Sequence, residues 1–189
     1  MRAFVAIEVP DAVKAGMETV QSLLKSSGVE AAWSRPAGIH LTLKFLGETA
    51  EGLVPQIMAA LARALSATER FRLCIEGVGA FPNPASARVV WLGVTGGAGR
   101  LAVLQSAVES ALVEVGLERD ARLYTPHLTL GRIRHIRRRD VWLKRLEALG
   151  NVKLPGFDVT AVSLIESERR PAGAVYRELG RVVLQGGPG

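Results

Sequence analysis

Disulfide chemistry is closed to this chain: its 189 residues include one cysteine, Cys74. No intramolecular bridge can form, and a reducing compartment is the expected setting. Cys74 lies in the run Phe71-Arg72-Leu73-Cys74-Ile75, which reads as a place for a small buried hydrophobe rather than a nucleophile. Long hydrophobic runs are also missing. No stretch approaches the roughly 20 apolar residues needed to cross a bilayer, and Glu8 and Asp11 interrupt the opening before a signal-peptide core develops. A soluble, cytoplasmic protein without a membrane partner is expected. Histidine is scarce: His40, His127 and His135 are the only three. With one distant cysteine and no neighbouring carboxylate cluster, they make a poor zinc or magnesium site, so no catalytic metal is expected. Lysine is scarce as well, because arginine supplies 19 of the 24 basic residues behind the net charge of +6. That charge suits a polyanionic partner, although an arginine bias beside abundant alanine, glycine and valine is equally a mark of genomic composition.

What is present is a repeat. Ile39-His40-Leu41-Thr42-Leu43-Lys44 has a counterpart in Pro126-His127-Leu128-Thr129-Leu130-Gly131-Arg132. In a strand, alternate residues share a face, so His40 and Thr42 project together with leucines opposite, and His127 and Thr129 repeat the arrangement. The flanking pattern predicts strands at 2–9, 39–46, 71–81, 88–94, 127–133, 157–166 and 175–184. Short candidate strands stand at 31–34 and 122–124, the latter able to pair with the second His-x-Thr strand. Apolar residues at three-to-four spacing predict helices at about 10–26, 53–66, 100–115 and 139–149. Phe4 precedes His40 by 36 residues, and Val90 precedes His127 by 37; His40 precedes Phe71 by 31, and His127 precedes Phe157 by 30. This agreement argues for one bilobal domain, 1–189, made of two related units of about 1–84 and 85–189. A pseudo-twofold axis between them would set the two His-x-Thr strands facing each other across a cleft.

A histidine has an unperturbed pKa near 6.5, so a facing pair can hold one neutral base and one protonated acid near neutral pH. Two threonine hydroxyls beside them can bond an oxygen-rich group held between the imidazoles, and a phosphodiester fits. Arg132 can clamp a phosphate oxygen with two N–H groups. An isolated strand histidine is ordinarily a packing or surface residue, but that reading leaves the shared motif and register of His40 and His127 to coincidence. It applies to His135, which sits among arginines outside the repeat. Arg134, Arg137, Arg138 and Arg139 form either a solvated basic face or a track for an RNA backbone.

At these residues the chain resembles the 2H phosphoesterase superfamily, and specifically the bacterial and archaeal RNA 2′,3′-cyclic phosphodiesterases, also called 2′-5′ RNA ligases. The resemblance is carried by Arg2 to Ile7, by Trp33 to Pro36 and by His40 to Glu48. It continues through Phe81-Pro82, Arg88 to Gly93, Tyr124 to Arg132, Val162 to Ser167 and Tyr176. It implies an α+β fold with two antiparallel sheets around a central groove and helices packed outside. It also implies hydrolysis of RNA 2′,3′-cyclic phosphate ends to 2′-phosphates with neither metal nor nucleotide cofactor. His40 would be the general acid and His127 the general base, with Thr42, Thr129 and Arg132 holding the phosphate. Run backwards, the same site would join ends through a 2′-5′ linkage. Two rival readings are the same chemistry on a small nucleotide or sugar cyclic phosphate, and a non-catalytic RNA-binding module. No feature calls for assembly, so a monomer is the default expectation.

Overall fold

A computed structural model describes residues 1–170 and 173–186. The first strand, β1 (Arg2–Glu8), is buried from Ala3 to Ile7, as its unbroken apolar run requires of a strand covered on both faces. Helix α1 (Asp11–Lys25) follows Pro10 and buries Val13, Met17, Val20 and Leu24 along one stripe. Asp11 in its first turn and Lys25 in its last complement the helix dipole. Gly28 then turns the chain at a φ of 78°, where a side chain would be strained. Next come β2 (Val29–Trp33), β3 (His40–Glu48), α2 (Val54–Ala64), β4 (Phe71–Phe81), β5 (Val89–Val94) and α3 (Ala98–Glu114). The chain continues through β6 (His127–Ile136), α4 (Arg139–Ala148), β7 (Lys153–Val159), β8 (Ala161–Arg170) and β9 (Gly173–Val183).

The strands form two antiparallel sheets, ordered β3-β1-β8-β9 and β2-β6-β5-β4-β7. Helices α2 and α3 pack on each other and against β9 and β3 of the first sheet, while α1 lies along β7 and β2 of the second and touches α4. Trp142 of α4 is fully buried and donates its indole N–H to the Pro84 carbonyl at 3.0 Å. The α+β architecture with two antiparallel sheets agrees with the expectation. The strands are not sorted by half, however: β4 belongs to the second sheet and β8 to the first.

Three expectations need correction. The run 157–166 is two strands, because the chain leaves the second sheet after Val159 and enters the first at Ala161. Residues on both sides of the break are buried, so the hydrophobic pattern runs through a change of sheet without interruption. Residues 122–124 form no strand: β6 pairs with β5 along His127–Arg132 and with β2 along Gly131–Ile136, and 122–124 join neither ladder. Cys74 is exposed, since Phe71, Leu73 and Ile75 take the buried face of β4 and alternation turns Arg72 and Cys74 outward.

Candidate active site

Strands β3 and β6 approach one another directly, and a cleft of about 410 Å³ opens beside them. Along β3, half-buried His40 and Thr42 alternate with buried Leu41 and Leu43. A bulge then breaks the alternation. Thr42 pairs with Ala6 and Lys44 with Val5, leaving Leu43 as the extra residue. Lys44 therefore turns inward, and Phe45 returns to the face carrying His40 and Thr42. Strand β6 does the same at the matching place. Thr129 pairs with Trp91 and Gly131 with Val90, leaving Leu130 extra. Gly131 turns inward and Arg132 comes out beside Thr129. Strict alternation would have sent Arg132 to the leucine face.

His40, Thr42, Thr129 and Arg132 consequently line the same cleft, with Phe4, Phe45 and Tyr176 among its other walls. His127 does not line this enclosed part. It stands two residues before Thr129 on the same face of β6, half-buried. Each histidine is flanked by two aromatic rings. His40 lies 5.6 Å from Phe4 and 5.2 Å from Tyr176, both edge-on; His127 lies 5.1 Å from Phe81 and 6.3 Å from Trp91. Gly38, just before His40, lets the Tyr176 ring in: a Cβ there would sit 2.8 Å from that ring. Arg132 is exposed and has no carboxylate partner among the described residues.

The two imidazoles differ in their second nitrogen. His127 Nδ1 lies 2.7 Å from the Thr125 carbonyl. A carbonyl only accepts, so Nδ1 carries the proton and Nε2 is left with a lone pair in the neutral ring. His40 Nδ1 is buried without a hydrogen-bond partner among the described residues. Burial pulls the His40 pKa below its ordinary value; the nearby Gly38 carbonyl, the next influence, pushes the other way without outweighing it. Burial therefore favours the neutral form of His40.

The carbonyl that orients His127 belongs to a loop that is itself tied to β3. The Tyr124 hydroxyl donates to the Thr42 carbonyl at 3.1 Å, and burial raises its pKa so far that it remains a donor at any working pH. Buried Lys44 bonds the Glu118 carbonyl at 2.8 Å in the same loop. Tyr124→Phe removes one tie at a cost of about 1 kcal/mol of stability. If the tie positions His127, turnover falls several-fold and the basic limb of the pH–rate profile weakens, while binding of a phosphate ligand stays unchanged. An unaltered profile would reduce Tyr124 to a packing residue. Sequence reasoning missed Tyr124, Lys44 and Phe45; the signal available was the five-residue offset that Phe45 and Arg132 share from their histidines.

Residues 9–171 match the sequence model of the 2′-5′ RNA ligase superfamily. This chain is a member of it. Within the superfamily it is 36% identical over 179 residues to an RNA 2′,3′-cyclic phosphodiesterase of Methanothermobacter thermautotrophicus, covering 95% of this chain and 96% of the relative. It is also 36% identical over 186 residues to the Archaeoglobus fulgidus protein of the same name, covering 95% and 98%. A crystal structure from Thermus thermophilus superposes with a TM-score of 0.81 at 26% identity, over 98% of this chain and 99% of the other. Escherichia coli LigT complexed with 3′-AMP superposes with a TM-score of 0.75 at 23% identity, over 97% of both chains, and shares the fold. The superfamily assignment made from the two His-x-Thr motifs, with the fold it implied, is the one these comparisons return.

Among the remaining basic residues, Arg137 is engaged with Glu30, its Nε donating at 2.7 Å, whereas Arg134, His135, Arg138 and Arg139 are exposed. Among the described residues no cluster of three histidine, cysteine or carboxylate side chains is grouped to hold a metal, and no helix is long and apolar enough to cross a membrane.

Proposed function

We propose that this chain hydrolyses RNA ends carrying a 2′,3′-cyclic phosphate to 2′-phosphates, using paired acid–base catalysis by His40 and His127 without a metal. The observation that carries the reading is one cleft lined by His40 and Thr42 of β3 and by Thr129 and Arg132 of β6, Arg132 turned there by the β6 bulge, with His127 alongside. The names of the two relatives at 36% identity point to the same reaction class.

In the proposed step, Thr42, Thr129 and the Arg132 guanidinium hold the non-bridging oxygens. Nε2 of His127, freed for proton acceptance by the Nδ1 bond to Thr125, takes a proton from water as its oxygen attacks phosphorus. The bond from phosphorus to the 3′ oxygen breaks, and the imidazolium of His40 protonates that oxygen, leaving the phosphate on the 2′ position. With a 5′-hydroxyl in place of water as the nucleophile, the same step joins the 2′,3′-cyclic end to that hydroxyl through a 2′-5′ linkage.

The role of His40 requires it to be charged, and burial disfavours that charge. A bound phosphate supplies the missing counter-charge, so substrate and proton bind together. Calorimetric titration with adenosine 2′-monophosphate, repeated in buffers of different ionisation heat at about pH 7, should show proton uptake approaching one per site. The uptake should vanish in His40→Ala. Binding without uptake in the wild type would remove His40 from the acid role. The activity itself is tested with an RNA bearing a 2′,3′-cyclic phosphate in EDTA, with the product scored as 2′- or 3′-phosphate. A mononucleotide cyclic phosphate in parallel separates an RNA substrate from a small one.

A further inference from the structure

Strand β6 does not stop at the cleft. Its ladder with β5 ends at Arg132, and the strand runs on beside β2 to Ile136. A second bulge lies in this extension: Ile133 pairs with Ala31 and His135 with Glu30, leaving Arg134 extra. Strict alternation would turn His135 to the face of Ile133, and the bulge returns it to the side of Arg132. Arg132, Arg134 and His135 are therefore all exposed, along a line that starts in the cleft. Arg138 and Arg139 stand just past the end of the strand and are exposed as well.

Residues 121–139 contain six arginines and neither aspartate nor glutamate. The acid across the ladder, Glu30, is engaged by Arg137 at 2.7 Å, and Asp140 opens α4. Arg132, Arg134, Arg138 and Arg139 have no carboxylate partner among the described residues. The first sheet is the opposite. Arg2, Lys44, Arg170, Arg177 and Arg181 each have a carboxylate oxygen no farther than 3.8 Å away. One wall of the cleft is neutralised, and the other carries uncompensated charge in a row leading away from the phosphate site. That row fits a chain of phosphates.

We propose that the extension of β6 is a track for the RNA backbone on the 5′ side of the reacting phosphate, with Arg134 and Arg138 each holding one backbone phosphate and His135 between them. This rests on the reading of the cleft as the site of a 2′,3′-cyclic end, and it deepens that reading. A cleft of about 410 Å³ has room for one nucleotide, so the track makes the substrate an oligonucleotide whose upstream nucleotides lie outside the cleft. Contacts to phosphates carry no base identity, and the resulting preference is for chain length rather than for sequence.

The test is equilibrium titration with a hexa-adenylate ending in a 2′-phosphate and with adenosine 2′-monophosphate, between about 50 and 200 mM salt. Binding of these product-like ligands does not depend on turnover. At the lower salt, wild type should bind the hexamer about tenfold or more tightly than the mononucleotide. The logarithm of its affinity should also fall more steeply with the logarithm of salt, by about 0.7 for each of the two phosphates engaged. Arg134→Gln with Arg138→Gln should remove most of both differences, the mononucleotide binding as before, whereas Arg134→Lys with Arg138→Lys should keep the slope because it keeps the charges. Arg63→Gln with Lys153→Gln removes two charges from α2 and from the opposite edge of the second sheet, and should behave as wild type. Equal affinity for the two ligands overturns the proposal, as does a length preference that survives loss of Arg134 and Arg138. The same loss in the Arg63 and Lys153 variant also overturns it, by reducing the effect to net charge. Turnover of adenosine 2′,3′-cyclic phosphate, measured alongside, judges the phosphodiesterase reading separately: no turnover with length-dependent binding intact fails that reading and leaves the track standing. All four substituted side chains are exposed, so every variant should melt near the wild-type temperature, which confirms that folded proteins are being compared.

Discussion

Alanine in place of His127 is expected to slow hydrolysis of a 2′,3′-cyclic phosphate by about 10²–10⁴-fold, and alanine in place of His40 by a similar factor. Both histidines are half-buried on cleft walls rather than in the main core, so the fold and the binding of a phosphate ligand should survive either change. Equal losses would leave the two roles interchangeable, and a change of leaving group separates them. If the bridging 3′ oxygen is replaced by sulfur, the departing thiolate needs no proton. His40→Ala should then regain most of the lost rate on the sulfur substrate, whereas His127→Ala, still lacking a base for water, should not. Rescue of His127→Ala instead would exchange the assignments. A wild-type rate abolished by EDTA, or untouched by both substitutions, would sink paired histidine catalysis altogether.

The largest effect on stability should come from Lys44, a residue that touches no substrate in the proposed reaction. Its ammonium group lies 2.9 Å from Glu109 Oε2, with side-chain exposures of 3% and 5%. Around this pair, Gln105 bonds both Glu109, at 3.3 Å, and the carbonyl of the bulge residue Leu43, at 3.4 Å. The Asp120 amide donates to Glu109 at 3.3 Å. Lys44→Met would strand Glu109 as a buried charge without its partner, a situation that costs about 3–5 kcal/mol. For a chain of this length the melting temperature should drop by roughly 10 °C. Lys44→Met with Glu109→Leu should recover much of that loss, because removing both charges removes the desolvation penalty. A thermal melt of the single and double variants decides it. A single variant within about 1 kcal/mol of wild type would mean that water reaches Glu109 or that the helix relaxes away.

The reading of sequence into structure succeeded where period alone carries information. The alternation in His40-Leu41-Thr42 and His127-Leu128-Thr129 names the half-buried face and the buried face of each strand, and the four long helices follow from three-to-four spacing within a few residues at each end. It failed where partner choice matters. Residues 157–166 carry one apolar run across two sheets, and nothing local marks Thr160 as the crossing. The bulges are invisible for the same reason. Leu43 and Leu130 look like ordinary inward leucines, yet each is the extra residue that re-aims everything after it. Arg132 was named as a phosphate ligand from its nearness to His127, and it reaches the cleft by a shift that simple alternation does not contain. The loop from Glu118 to Thr125, with no periodic pattern, gave no sign that it holds the ring of His127.

The exchange of strands between the sheets limits how the cleft can move. The chain starts in the first sheet with β1, crosses to the second for β2, comes back with β3, crosses again with β4, and returns with β8. An enzyme whose lobes are joined by a single linker can open like a jaw, with one hinge absorbing the rotation. Here the proposed halves are joined by crossings in both directions, and β4 and β8 are interior strands hydrogen-bonded on both edges. Rotating one lobe away from the other would peel an interior strand out of its sheet. Substrate entry is therefore left to side chains and the loops around the cleft, and the spacing between the two histidine strands behaves as a fixed gauge set when the chain folds.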